Sequence, residues 1–168
     1  MRIFVCVFSI HPLIYILSTA QSSGSSVAAG KERGCNVAIL ALDQGTSGSK
    51  AIVVDEARVH AVVENPIYPD YLSGGGVEQD PLALYNSLID AGKEAVQKAG
   101  VKIDGVSLAN QGETILAWDP DTGEPLTKCV VWQDRRAESI VERLREHADF
   151  VHDKTGLVLD CYFTAPKM

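Results

Sequence analysis

The sequence predicts an α/β fold that opens on a three-stranded antiparallel meander. Residues 37–43 (VAILALD), 48–54 and 58–63 are short, apolar and β-branched runs separated by tight polar turns. Residues 81–99 then place apolar side chains at helical spacing between a start and a stop signal. Beyond that helix, strand-like and helix-like segments alternate again, the pattern of β–α–β units.

Taken in order, VAILALD is a continuous apolar run ending in an acid, which suits a buried strand. The next two runs complete the meander, and residues 64–79, rich in Pro, Tyr and Gly, read as a loop. Asp80 suits a helix N-cap and Pro81 the first helical position, where a missing N–H breaks no bond. Tyr85, Leu88, Ile89, Gly92, Val96 and Ala99 form the expected apolar face, and Gly100 supplies the stop. Residues 103–109 and 113–118 read as strands, DPDTGEPL as a turn, and CVVWQ (129–133) as a short buried strand. Ala137, Ile140, Val141, Leu144 and Ala148 line one face of an expected second helix. No internal repeat is present.

The chain has 168 residues, one domain's worth and enough to bury a core. Lys plus Arg number 15 against 22 Asp plus Glu, a formal charge of -7. An acidic chain without a basic run has no footprint for nucleic acid or an anionic membrane, so a bound phosphate must be held locally. Cys6, Cys35, Cys129 and Cys161 are scattered and form no C-x-x-C, which excludes a zinc or disulfide framework and suits a reducing compartment. Residues 1–20 (MRIFVCVFSIHPLIYILSTA) carry the grammar of a secretory signal, although His11-Pro12 interrupts the apolar run. Two readings stand for them, a working targeting sequence or an extension with no such role. Residues 21–34 (QSSGSSVAAGKERG) read as a flexible linker, and the folded domain is expected over 35–168.

Two stretches point to chemistry. In ALDQGTSGSKAIVVD (41–55), Asp43 ends a buried strand, where a carboxylate needs a metal, water or donor. Thr46, Ser47 and Ser49 supply hydroxyls, Gly45 and Gly48 let backbone N–H groups gather as an anion nest, and Lys50 adds a charge. The stretch is neither a Walker loop nor G-x-G-x-x-G, and small polar residues also serve plain turns. The second stretch is NQGET (110–114). Its Glu113 can accept from two hydroxyls, while Trp132 and Tyr162 offer apolar faces for a carbon chain. Each of the three also has an ordinary reading, as a solvated acid or a core aromatic.

ALDQGTSGSKAIVVD, GGVEQDP, LANQGETILAWDPDTGEPL, VVWQDRRA and TGLVLDCYFTAPKM fall in the order and spacing of sugar and polyol kinases. Over residues 37–168 the chain resembles the amino-terminal part of FGGY-family carbohydrate kinases, most of all those that act on glycerol. The resemblance implies two domains of the actin and ribonuclease-H-like type, with ATP and sugar meeting in the cleft between them. It places Thr46, Ser47, Gly48 and Ser49 against the ATP phosphates, and Asp43 on Mg²⁺ or its water shell. Lys50 stands where relatives have Arg or Lys. It assigns Glu113, Trp132 and Tyr162 to polyol binding. Gly112 departs from the NQRET of glycerol kinases, removing a guanidinium donor and opening space that suits a longer polyol or a sugar. Cys161 replaces a common Pro, with no catalytic thiol implied.

Asp134 of QDRR is expected to cap the second helix, with Arg135 and Arg136 solvated or paired with acids, and Gln133 could line the sugar site. The family's general base, an Asp, and its adenine pocket belong to a second domain expected after Met168. The chain is therefore expected to be a fragment with little or no activity of its own. The resulting expectation is part of a cytoplasmic, ATP- and Mg²⁺-dependent polyol kinase, with no membrane span, that could form a homo-oligomer at full length. Two alternatives remain: a non-catalytic sugar- or phosphate-binding module, and a secreted or organellar protein reusing the fold.

Overall fold

The computed structural model describes residues 4–7 and 37–168. The linker reading, Cys35 and most of residues 1–20 lie outside the described residues. In chain order the strands are β1 (Phe4–Val7), β2 (Ile39–Gln44), β3 (Gly48–Val54), β4 (Val59–Pro66), β5 (Asp70–Tyr71), β6 (Val77–Gln79), β7 (Gly105–Asn110), β8 (Ile115–Trp118) and β9 (Cys129–Val130). The α-helices are α1 (Pro81–Ala99), α2 (Glu138–Arg143) and α3 (Ala148–Thr155). One sheet has the order β4-β3-β2-β7, the other β1-β8-β9-β6-β5.

The meander forms as expected, with β2, β3 and β4 antiparallel in succession. β7 returns parallel to β2, pairing Ile39 with Gly105 and Gln44 with Asn110, so the crossover through α1 makes a β–α–β unit. α1 starts where the sequence signals it. The Asp80 carboxylate accepts from the Leu82 and Ala83 N–H groups, and Gly100 ends the helix in the left-handed region. Its buried face is turned slightly from the expected one, with Leu84, Ala91, Gly92 and Ala95 inside and Tyr85 exposed. Ala91 and Ala95 meet Leu40, Ala51, Val53, Ala61 and Val63 of the meander in the main core. Gly92 lies close to the same sheet: a Cβ on it would stand 3.3 Å from Leu42 Cδ2, the movable end of that side chain.

Four expectations change. The region 64–79 holds the end of β4 and two further short strands, because Gly74 and Gly75, at φ 76 and 81, let the chain turn back and β6 finds a partner in β9. CVVWQ contributes only Cys129–Val130 to a strand before the chain turns. The second helix is two short helices, α2 and α3, joined by a 3-10 turn at Arg145–His147, and neither buries a residue. Without a buried face, nothing in packing favours one straight helix there. Asp134 caps no helix, since α2 starts after Ala137 without a side-chain cap. Its carboxylate is fully buried and accepts from Val77 N–H at 2.6 Å, Arg136 N–H at 3.0 Å and Arg136 Nε at 2.9 Å, tying the 131–136 turn to β6. Burial pushes this carboxyl upward, but the Arg136 and Val77 donors outweigh it and hold it below the usual range. Arg136 also reaches Glu78, and Arg135 pairs with Glu138.

Candidate functional site

The β2–β3 turn, the β7–β8 turn, the segment after β9 and the C-terminal segment converge on one cavity of about 340 Å³. Asp43, Gly45, Thr46, Asn110, Gln111, Gly112, Trp132 and Tyr162 line it. Adjacent parallel strands explain the meeting of the first two turns. β2 and β7 end side by side, and Gln111 N–H donates to Gln44 O at 2.7 Å.

At the β2–β3 turn, Asp43 is exposed, so its carboxylate is hydrated and carries no burial penalty, contrary to the reasoning from a buried strand. Gly45 and Gly48 have no positive φ, so the turn is not a left-handed nest. They are needed for closeness instead: a Cβ on Gly45 would lie 3.1 Å from Gly48 O, and one on Gly48 3.2 Å from Asn65 O. Gly45 N–H closes the turn on Gly48 O at 2.9 Å. The N–H groups of Thr46 and Ser47 meet no protein acceptor among the described residues, which leaves two adjacent donors for an anion.

Ser49 does not belong with them. It is fully buried on the α1 side of the sheet, where its hydroxyl lies 2.7 Å from Ser87 Oγ. Ser87 O–H already donates to Leu84 O, so the Ser49 proton goes to Ser87. Strand alternation sets this, since Ser49, Ala51 and Val53 are buried in turn on one face. Lys50 takes the opposite face and pairs with Glu64 at 3.3 Å, outside the cavity lining.

In the β7–β8 turn, Gly112 is buried and Glu113 has φ 55. A non-glycine residue there is strained by about 1–2 kcal/mol. Thr164 holds it, donating from its N–H and its hydroxyl to Glu113 Oε2 at 2.8 Å each. One carboxylate oxygen is thus engaged by protein, and Oε1 is left for another donor. Trp132 and Tyr162 stand with ring centroids 5.8 Å apart at 58°, and Phe163 meets Tyr162 edge-on at 5.1 Å. Trp132 Nε1 donates to Thr46 Oγ1 at 2.9 Å, joining the aromatic wall to the turn. Gln133 lies outside the cavity, accepting from the Tyr71 hydroxyl at 3.3 Å. Cys161 is buried and Cys129 is also buried, its thiol pushed up to about 11 by desolvation.

Sequence reasoning missed Gln79, Gln111, Thr164 and Lys167. Lys167 Nζ donates to Val131 O and Tyr162 O at 3.0 Å each, pinning the C-terminal segment beside the cavity. Burial holds this ammonium below its usual range against the pull of Asp134 and Glu113. Among the described residues no group of three or more His, Cys, Asp or Glu could cage a metal. A lone exposed carboxylate fits Mg²⁺ that keeps most of its water.

Residues 38–168 match the N-terminal domain of the FGGY family of carbohydrate kinases. The chain belongs to this family. It is 40% identical to glycerol kinase 2 of Thermotoga maritima over 136 residues, covering 77% of this chain and 27% of that protein. It is 45% identical to the glycerol kinase of Thermus brockianus over 136 residues, covering 77% and 28%. The structure of Plasmodium falciparum glycerol kinase with ADP superposes with a TM-score of 0.71 at 28% identity, covering 79% of this chain and 28% of that one. The fold is therefore the actin-like ATPase type of FGGY kinases. The chain spans little more than a quarter of the length of these relatives. Among the described residues no helix is long and apolar enough to cross a membrane.

Proposed function

We propose that this chain forms one wall of the catalytic cleft of an ATP-dependent polyol kinase, carrying an anion-binding hairpin and half of a polyol site. The observation that carries this reading is the shared cavity. The family's phosphate turn, through Asp43 and Thr46, and its polyol positions, through Gly112, Trp132 and Tyr162, open onto the same 340 Å³. Phosphoryl transfer depends on positioning and charge neutralisation, and such a cavity brings acceptor and phosphate together.

In this reading the Thr46 and Ser47 N–H groups hold phosphate oxygens, and Asp43 holds Mg²⁺ through water. The metal neutralises charge developing on the transferred group. Trp132 and Tyr162 cover the carbon chain, and Glu113, next to Gly112 but not itself part of the cavity lining, offers Oε1 to a hydroxyl. Gly112 leaves out the arginine donor, so glycerol, longer polyols and ketoses all compete for the site. In this reading the general base and the adenine pocket belong to a second domain, and the protein works in the cytoplasm, where ATP is supplied.

Binding to the 168-residue chain tests the proposal. In amide-resolved NMR, MgATP is expected to move the Thr46 and Ser47 resonances, and glycerol, erythritol, xylulose or ribulose those of Gly112 and Glu113. A chain whose 43–48 and 110–114 amides ignore MgATP and all four polyols at 50-fold molar excess or more would overturn it.

A further inference from the structure

Three residues form a closed hydrogen-bonded ring beneath the cavity. Thr46 O–H donates to Gln111 Oε1 at 2.8 Å, Gln111 Nε2 to Gln79 Oε1 at 2.8 Å, and Gln79 Nε2 to Thr46 O at 2.8 Å. Its direction has one solution. The indole N–H of Trp132 can only donate, so Thr46 Oγ1 accepts from it and keeps its own proton free to donate to Gln111 Oε1. At the other end the Thr46 carbonyl can only accept, which orients the Gln79 amide. With Gln79 so oriented its Oε1 faces Gln111, so flipping Gln111 would set acceptor against acceptor there, and flipping Gln79 would do the same at the Thr46 carbonyl. Both amides are buried, Gln79 at 1% exposure and Gln111 at 7%, where an unmade bond is expensive. A ring running one way also polarises each bond in the same sense.

We propose that Thr46 couples the two ligands: an anion bound at the β2–β3 turn alters how Trp132 is held, and a polyol on Trp132 alters affinity for the anion. The inference rests on the reading of the turn as an anion site. An anionic oxygen accepts only, and Thr46, which lines the cavity at this turn, carries a hydroxyl proton it can offer. A hydroxyl–anion bond is about twice as strong as the neutral bond to Gln111. Drawing that proton toward the anion loosens the ring and moves the acceptor of the indole N–H. Linkage requires the effect to be reciprocal, and one rearranged neutral bond corresponds to about a fivefold change in affinity. Gln79 lines no part of the cavity, so it acts as a positioning residue through Thr46.

The test uses the whole chain, ¹⁵N-labelled, with its two indole signals from Trp118 and Trp132 assigned by Trp118→Phe. Without ligand, Gln79→Leu is expected to shift the Trp132 indole proton and speed its solvent exchange about fivefold. Gln79→Glu, which keeps the size but loses the amide donor, should do the same if the leucine variant does not fold. An unchanged indole in a folded variant overturns the ring. With inorganic tripolyphosphate as the anion, glycerol affinity should change about fivefold in the native chain and in Thr46→Ser, and stay constant in Thr46→Val. Equal glycerol affinity with and without bound tripolyphosphate in the native chain overturns the coupling. Amides at 43–48 that ignore both MgATP and tripolyphosphate overturn the anion reading, and the coupling with it. The ligand-free indole measurement still judges the ring.

Discussion

Removing the Asp134 carboxylate tests how the 131–136 turn is held under Trp132. Asp134→Ala deletes an acceptor that is 0% exposed and serves Val77 N–H at 2.6 Å. Val77 is itself buried, so its N–H has no water to turn to and the orphaned donor costs about 1–3 kcal/mol. Arg136 is 40% exposed and keeps Glu78, so losing its half of the pair adds at most about 1 kcal/mol. The expected loss is about 3 kcal/mol, a large share of the roughly 5–15 kcal/mol that holds an ordinary domain together. Asp134→Asn keeps an oxygen for Val77 but loses the charge and turns an NH2 group toward the Arg136 N–H, so about 1–2 kcal/mol is expected. Urea unfolding followed by far-ultraviolet circular dichroism measures both, and the dependence on urea should keep its slope. A loss below about 1 kcal/mol for Asp134→Ala at unchanged slope would refute the reasoning, because the carboxylate would then not be the tie between β6 and the turn.

Gly92→Ala sets about 1 kcal/mol of helix propensity against a 3.3 Å contact with the movable end of Leu42. It should raise the melting temperature slightly, whereas Gly92→Val should lower it. The Asp55 carboxyl, held to about 2 first by the His60 hydrogen bond and then by the Arg58 and Ala57 N–H groups, is depressed in the folded state. Its contribution is therefore complete above the unfolded value of 3.8 and fades as pH falls through about 2. Asp55→Asn should flatten acid unfolding in that window, and an unchanged acid profile would remove Asp55 as its cause. Cys129, with its thiol at about 11, should be alkylated by iodoacetamide at pH 8 about 100-fold more slowly in the folded chain than in urea, as read by peptide mass spectrometry.

The parts legible in the sequence are those set by local rules. The meander follows from β-branched runs between tight turns, and α1 from Asp80, Pro81 and Gly100, whose capping roles need no distant partner. Ser49 was legible too. Period-two alternation through Ala51 and Val53 puts it on the core face and Lys50 on the other, so both could not face one ligand. The short strands of residues 70–79 were hidden because β6 exists through its pairing with β9, far along the chain. Glu113's positive φ, its Thr164 clamp and the Gln79–Gln111 ring also depend on contacts between distant segments, and no spacing rule announces them. Asp134 misled for the opposite reason. Its position suits a helix cap, but a buried backbone N–H on β6 claimed the carboxylate first.

Among the described residues β7 lies at the border of its sheet, bonded to β2 on one side only, and it leaves Val106 and Leu108 more than half exposed. Border strands usually carry lysine, proline or a bulge that discourages further pairing, and Gly105–Asn110 (GVSLAN) has none of these. A row of backbone groups that meet no partner among the described residues, flanked by apolar side chains, is an open template for any extended segment, including one from a neighbouring molecule. Handling of this chain is consequently a question of concentration: dilute solutions and a lysine at Ser107 favour single molecules, and crowding favours strand-to-strand assembly.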